Sequence, residues 1–142
     1  MQPYSIVLAD DHVPLRESLR ETLSKRKGLK IVGEAADGIE LLNFLQMSKS
    51  IPDMAIVDIR MPNLGGIETT RQIKVTHPEV KVLILTMHKA KEYVDQAFSA
   101  GADGYLLKED IGTELFSAIE TIRQGGTHVP SSFSENSAKG TK

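Results

Sequence analysis

The feature that most limits what this chain can fold into is an alternation repeated five times. A short apolar run is followed each time by a segment whose apolar residues recur every three or four positions. Ser5 to Ala9 is the first run, and Leu15, Leu19 and Leu23 then mark one stripe of a helix. Pro14 suits the first turn of that helix, where its missing N–H is no loss, and Gly28 closes the unit. Leu29 to Ala35, with Ile31 and Val32, predicts a second strand. Asp37 is placed to cap a second helix carrying Leu41, Phe44 and Leu45. Asp53 to Asp58 is the third strand, followed by a loop with Pro62, Gly65 and Gly66 and a helix with Ile67, Thr70 and Ile73. Val80 to Thr86 is the fourth strand, and Val94, Ala97 and Phe98 mark the fourth helix. Gly104 to Leu107 is a short fifth strand before a helix with Leu115, Ala118, Ile119 and Ile122, ended by Gly125 and Gly126.

Strand–helix repeats of this kind predict an α/β fold: a parallel sheet with helices on both faces and right-handed crossovers. The strands read as continuous apolar runs, as expected when both faces are covered. A chain of 142 residues is long enough for one such domain with a real core. The last stretch, SSFSENSAKGTK, is poor in apolar residues, so residues 1–126 read as the domain and 127–142 as a flexible tail or the start of an interdomain linker.

Composition removes several function classes. A net charge of −2 offers no basic footprint, so these residues are not expected to bind nucleic acid or a membrane surface themselves. With no cysteine there is neither a disulfide nor a thiolate metal site. Met1 to Tyr4 leads into a strand without a targeting pattern, and no apolar run approaches the roughly 20 residues that span a bilayer, so a cytoplasmic location is the expectation.

In a sheet of this class, ligands bind beyond the carboxyl ends of the strands. Strand one ends in Asp10 and Asp11, strand three in Asp58, strand four in Thr86, and strand five in Leu107 and Lys108. Taken singly, each is unremarkable: an Asp at a strand end is usually a cap or turn residue, a Thr is at home in a strand, and a Lys is usually solvated. Together they place three carboxylates, a hydroxyl and an ammonium on one rim. Clustered carboxylates repel, and a hard divalent cation such as Mg2+ is the natural counter-charge. A carboxylate in such a setting can attack phosphorus and form an acyl phosphate.

The stretches VLADDH, IVDIRMPNLGGIE, VLILTMH and GADGYLLK together resemble the receiver domains of two-component response regulators, over about residues 4 to 126. GADGYLLKED and ELFSAIETIRQGG resemble the NarL/FixJ class, in which a LuxR-type helix-turn-helix follows the receiver. The resemblance implies a flavodoxin-like doubly wound sheet of five strands in the order 2-1-3-4-5, with five helices. It implies that Asp58 is the phosphoacceptor, Asp11 a direct metal ligand, Asp10 the holder of metal-bound water, and the Arg60 backbone carbonyl a third protein ligand to Mg2+. Thr86 resembles the switch hydroxyl, Lys108 the lysine that pairs with the phosphoryl group, and Tyr105 the aromatic switch that swings inward; the plain alternative for Tyr105 is a half-buried strand tyrosine. Arg60 and His88, each two residues past a site residue, fall where the family tunes hydrolysis of the acyl phosphate. Met87 would flank the pocket, with plain packing as its alternative. Many relatives carry a proline after the lysine, often with a cis peptide; here Glu109 stands there. A cis bond at a non-proline residue costs roughly 3–4 kcal/mol, so this loop is expected to differ locally.

The function so implied is a phosphorylation-dependent signalling switch and not a turnover enzyme. It would take its phosphoryl group from a sensor histidine kinase and lose it by slow autodephosphorylation. A homodimer on phosphorylation and DNA contact through a further C-terminal domain are the implied partners. Three rivals are weaker. A phosphohydrolase of the haloacid-dehalogenase type separates its two aspartates by one residue, which would put the second on His12, whereas Asp10 and Asp11 are adjacent. A flavin-binding module would meet phosphate repulsion at Asp10 and Asp11. The third is an adaptor with the fold but no chemistry.

Overall fold

A computed structural model describes residues 2–131 and 133. The five units lie in chain order: β1 (Tyr4–Ala9), α1 (Val13–Ser24), β2 (Leu29–Ala35), α2 (Gly38–Met47), β3 (Met54–Val57), α3 (Gly66–Thr76), β4 (Lys81–Thr86), α4 (Lys91–Ser99), β5 (Gly104–Leu107) and α5 (Ile111–Arg123). The strands form one parallel sheet in the order β2-β1-β3-β4-β5. This is the flavodoxin-like order that the resemblance implies. Of the stretch expected to be a tail or linker, 132 and 134–142 lie outside the described residues.

Two apolar clusters sandwich the sheet. Leu19 and Leu23 of α1 and Leu115, Ala118, Ile119 and Ile122 of α5 pack on Ile6, Leu8, Met54, Ile56, Leu83 and Leu85. Leu41 and Leu45 of α2, Ile73 of α3, and Val94 and Ala97 of α4 cover the other face through Val7, Ala55, Val57, Val82 and Ile84. The helical stripes read from the sequence are therefore the packing faces. The middle strands β3 and β4 are buried almost throughout, as continuous apolar runs predict.

The two outer strands behave differently. β2 alternates between partly buried and exposed residues, contrary to the expectation of continuous burial. It borders the sheet, and the pairing slips by one residue between Ile6 and Val7, so that Val32 is passed over and stands 36% exposed. β5 borders the opposite side, yet all four of its residues are buried. Residues following α5 run along its outer side: Tyr105 N–H donates to His128 O (3.0 Å), His128 N–H donates to Asp103 O (3.2 Å), and Gly104 and His128 form an isolated parallel bridge. Past Leu107 the chain makes a short 3₁₀ turn, Lys108–Asp110, that leads into α5, and no peptide among the described residues is cis.

A capping network fixes the rim near the loop after β3. Asp37 Oδ1 accepts from Glu40 N–H (2.8 Å), and Glu40 Oε1 accepts from Ala36 N–H (2.8 Å), a reciprocal cap of α2. The other Asp37 oxygen accepts from Asn63 Nδ2 (2.6 Å), and Asn63 sits at φ 67° in the left-handed region. The sequence signals the cap at Asp37; the turn residue that Asp37 also holds has no comparable signature.

Candidate functional site

Parallel pairing brings the strand ends to one rim. Asp58 N–H donates to Ala9 O (3.0 Å) and Asp10 N–H to Ala35 O (3.0 Å), so the backbone beneath both acids is fixed by neighbouring strands. Arg16 of α1 donates to the Asp10 carbonyl and pairs with Glu34 of β2 at 2.9 Å, tying the start of the first helix to the rim. Asp10 and Asp58 are 4% and 8% exposed, while Asp11 faces solvent. One carboxylate oxygen from each of the three lies within 4.8 Å of the others. The residues are therefore grouped as a metal would need, with two walls buried and one open.

Lys108 reaches into the cluster. Its Nζ stands 3.0 Å from Asp10 Oδ2 and 3.0 Å from Asp58 Oδ2. Burial alone would pull the ammonium down, but hydrogen bonds and charge from Asp10 and Asp58 outweigh it and hold Lys108 above the ordinary lysine range. Asp10 Oδ1 accepts from His12 N–H (2.9 Å), and Asp58 Oδ1 accepts from Ile59 N–H (2.7 Å). Each buried carboxylate is thus held by one amide and by the shared ammonium. Counted formally, three carboxylates and one ammonium leave two negative charges, which one divalent cation balances.

The other residues singled out in the sequence surround this centre without all touching it. Thr86 is fully buried at the end of β4, and its hydroxyl accepts a long hydrogen bond from His88 N–H (3.4 Å). Tyr105 is fully buried with its ring inward, not half-buried, and its hydroxyl donates to His88 O (2.7 Å). Burial first, then the charge of Asp58, pushes the Tyr105 phenol above its usual range, so it stays a donor. The Arg60 side chain is engaged by α4: its Nη2 donates to Tyr93 Oη (3.3 Å), whose ring lies 4.7 Å from that of His88. Met87 is 74% exposed, which removes plain core packing as its role. Tyr93 was not among the residues the sequence pointed to. Its position one turn into α4 carries no strand-end signal, and only the fold brings it to Arg60 and His88.

Beneath Asp58, Gly66 opens α3. Its N–H donates to Ile59 O (2.8 Å), and a Cβ built there would stand 2.0 Å from Asp58 O. Only glycine permits this approach, which locks the loop carrying the central acid onto the helix below it.

The model of the response regulator receiver domain matches residues 6–120, most of the chain and all three acids. The chain belongs to the response-regulator receiver family. Relatives refine the class. The transcriptional regulatory protein DegU of Brevibacillus brevis is 34% identical over 134 residues, 94% of this chain and 56% of its own length. A LuxR-family two-component response regulator from Aurantimonas sp. SI85-9A1 superposes with a TM-score of 0.83 at 37% identity, over 89% of each chain. The isolated receiver domain of RcsB from Salmonella enterica serovar Typhimurium, solved with the phosphomimetic BeF3−, superposes at 0.85 with 26% identity, over 94% of this chain and 98% of that one. This receiver spans little more than half the length of the curated relatives it matches. Among the described residues, no helix is long and apolar enough to cross a membrane.

Proposed function

We propose that this receiver takes a phosphoryl group onto Asp58 from the phosphohistidine of a sensor histidine kinase and uses the change to switch an output. The observation that carries the reading is the grouping of Asp10, Asp11 and Asp58 around one point with the Lys108 ammonium 3.0 Å from two of them. An Asp58 oxygen forms the bond to phosphorus while the bond from phosphorus to the donor imidazole nitrogen breaks. The electron pair stays on that nitrogen, which takes a proton from solvent.

The donor set fits Mg2+, which takes oxygen ligands and keeps several waters. Asp10, Asp11, Asp58 and the Arg60 backbone carbonyl would hold it, and when bound it neutralises charge on the transferring group. Lys108 is already at the rim and exchanges a carboxylate contact for a phosphoryl oxygen. The Thr86 hydroxyl, held only by a 3.4 Å bond, is free to turn toward the same group. Arg60 and His88, joined through Tyr93, flank the route by which water reaches the acyl phosphate and set the rate of its loss. The switch biases a two-state equilibrium through Thr86 and the inward Tyr105.

A cytoplasmic location, a homodimer on phosphorylation, and DNA contact through a further C-terminal domain complete the proposal. RcsB has been solved as two dimers bound to two parallel DNAs. The test is incubation with acetyl phosphate and Mg2+, followed by intact mass and hydroxylamine treatment. One phosphoryl group, sensitive to hydroxylamine and absent from Asp58→Asn, is the expected result. Phosphorylation of Asp58→Asn at the unmodified rate, or none in the unmodified chain, refutes it.

A further inference from the structure

The net charge conceals a local positive excess at the end of the sheet opposite the acidic rim. There the turn after α1 meets the second half of α5, beside Leu29, the first residue of β2. Between them lies a cleft of about 190 Å³. Leu29, Phe116 and Ile119 form its apolar walls, Arg26, Lys27 and Arg123 edge it, and Glu120 is the one acid in its lining.

Both guanidiniums rest over aromatic rings. Arg26 Cζ stands 4.2 Å from the centre of the Phe116 ring, and Arg123 Cζ 5.0 Å from that of Tyr4. The Tyr4 phenol, pushed up to about 12 chiefly by burial, stays neutral and offers Arg123 a ring face without a charge. A guanidinium held this way is ordered by the ring while its in-plane N–H groups stay free to donate. The remaining arginines are engaged by side chains: Arg16 and Arg20 pair with Glu34, Arg71 pairs with Glu68, and Arg60 donates to Tyr93. Among the described residues, no carboxylate comes within 4.0 Å of the charged nitrogens of Arg26, Lys27 or Arg123. Glu120 Oε2 accepts from Gln124 Nε2 instead (2.7 Å). Nor do the arginines serve as helix caps. Backbone amides of Lys25 and Arg26 take carbonyls at the end of α1, and those of Gln124, Gly125 and Gly126 do the same for α5.

Three cations and one carboxylate leave two positive charges, which one dianion balances. A tetrahedral oxyanion with several acceptor oxygens suits two guanidinium forks better than chloride does. Size narrows the choice further. Drug-sized ligands fill clefts of roughly 300–1,000 Å³, so this one takes the anionic group and leaves the rest of any larger ligand in solvent.

We infer that the cleft between the turn after α1 and α5 binds a phosphate dianion, free or as the end group of a small phosphate monoester, on Arg26, Lys27 and Arg123. The site is independent of the chemistry proposed at Asp58, from which it is separated by the length of the strands. Bound phosphate ties the turn after α1 to the last turns of α5, just before the chain leaves that helix.

The experiment titrates the whole chain with inorganic phosphate and, separately, with glycerol phosphate. Mg2+ is omitted, chloride keeps the ionic strength constant, and the buffer is basic enough to keep phosphate a dianion. Arginine Nε–H and backbone amide signals are followed by NMR. Saturable shifts centred on Arg26, Lys27 and Arg123 are expected, with half-saturation at about 1 mM. Arg26→Gln and Arg123→Gln should each weaken binding about ten-fold, the worth of one charge-assisted hydrogen bond. Arg20→Gln removes the same charge from an ion-paired arginine and should leave binding unchanged. Equal binding of the two ligands assigns the site to the phosphate end group, tighter binding of inorganic phosphate to the free ion, and tighter binding of glycerol phosphate to a monoester. Shifts that do not saturate with either ligand overturn the site. So do saturable shifts centred on Lys108, or an Arg20→Gln variant weakened as much as the other two.

Discussion

Gly66 offers the sharpest test of how the fold supports the acid. An alanine Cβ at this position would lie 2.0 Å from Asp58 O, 2.8 Å from Asp58 C and 3.0 Å from Ile59 Cα. All three are backbone atoms, so no side chain can swing aside. Reaching even 3.0 Å from the carbonyl oxygen requires a relative movement of about 1 Å. That movement falls on the residue whose side chain carries the proposed chemistry. Overpacking of this kind costs roughly 1–3 kcal/mol, against at most about 1 kcal/mol gained from the better helix propensity of alanine. The melting temperature of Gly66→Ala is therefore expected to fall by several degrees. Displacing a reacting group by about 1 Å costs on the order of 100-fold in rate, so phosphorylation from acetyl phosphate should slow by about that factor. Gly112→Ala is the control: it lies in α5 with nothing within 4 Å of the added carbon, and should melt at the same temperature or slightly higher and react normally. Calorimetry and a timed phosphorylation assay read both effects. Gly66→Ala with unchanged melting and unchanged rate would show that the close approach beneath Asp58 does not position it.

Lys108→Ala removes the ammonium that competes with a cation for Asp10 and Asp58. Unit charges about 4 Å apart interact by about 1 kcal/mol even in bulk water, so this variant should bind Mg2+ roughly ten-fold more tightly while switching poorly. A Mg2+ titration by calorimetry that gives equal affinities would count against the ammonium's place in the cluster. Asp37 is held below its ordinary value of 3.8 chiefly by the Glu40 amide, then by Asn63. A depressed acid stabilises the fold above its unfolded pKa, and the benefit fades as pH falls through the folded value. The melting temperatures of the unmodified chain and Asp37→Asn should differ by a constant amount above pH 5 and converge below 3.8. A difference that stays constant down to the lowest pH measured would refute the charge's role in the cap.

Much of this was legible in the residues. The periods of Leu15, Leu19 and Leu23, and of Leu115, Ala118, Ile119 and Ile122, marked helix faces that do pack on the sheet. The strand ends announced Asp10, Asp11, Asp58 and Lys108, because in a parallel sheet the carboxyl ends share one rim. Three things were not legible, each for a physical reason. The alternation of β2 follows from its place at the border, which the strand order implied by the resemblance contains but the pattern of apolar runs does not. The hold of Tyr105 on His128 runs through a backbone amide and carbonyl, which every residue type offers alike. The meeting of Arg60, Tyr93 and His88 depends on how α4 seats against the loop after β4, a tertiary relation with no local pattern.

The slipped pairing at Val32 carries a consequence for behaviour at high concentration. A twisted, kinked margin with Lys30 and Glu34 turned outward is a poor template for an incoming chain. With the far margin occupied by the molecule's own polypeptide, neither flank invites growth into a fibril. Removing that cover would leave one side newly adhesive, so aggregation of this protein should start from β5 and not from β2.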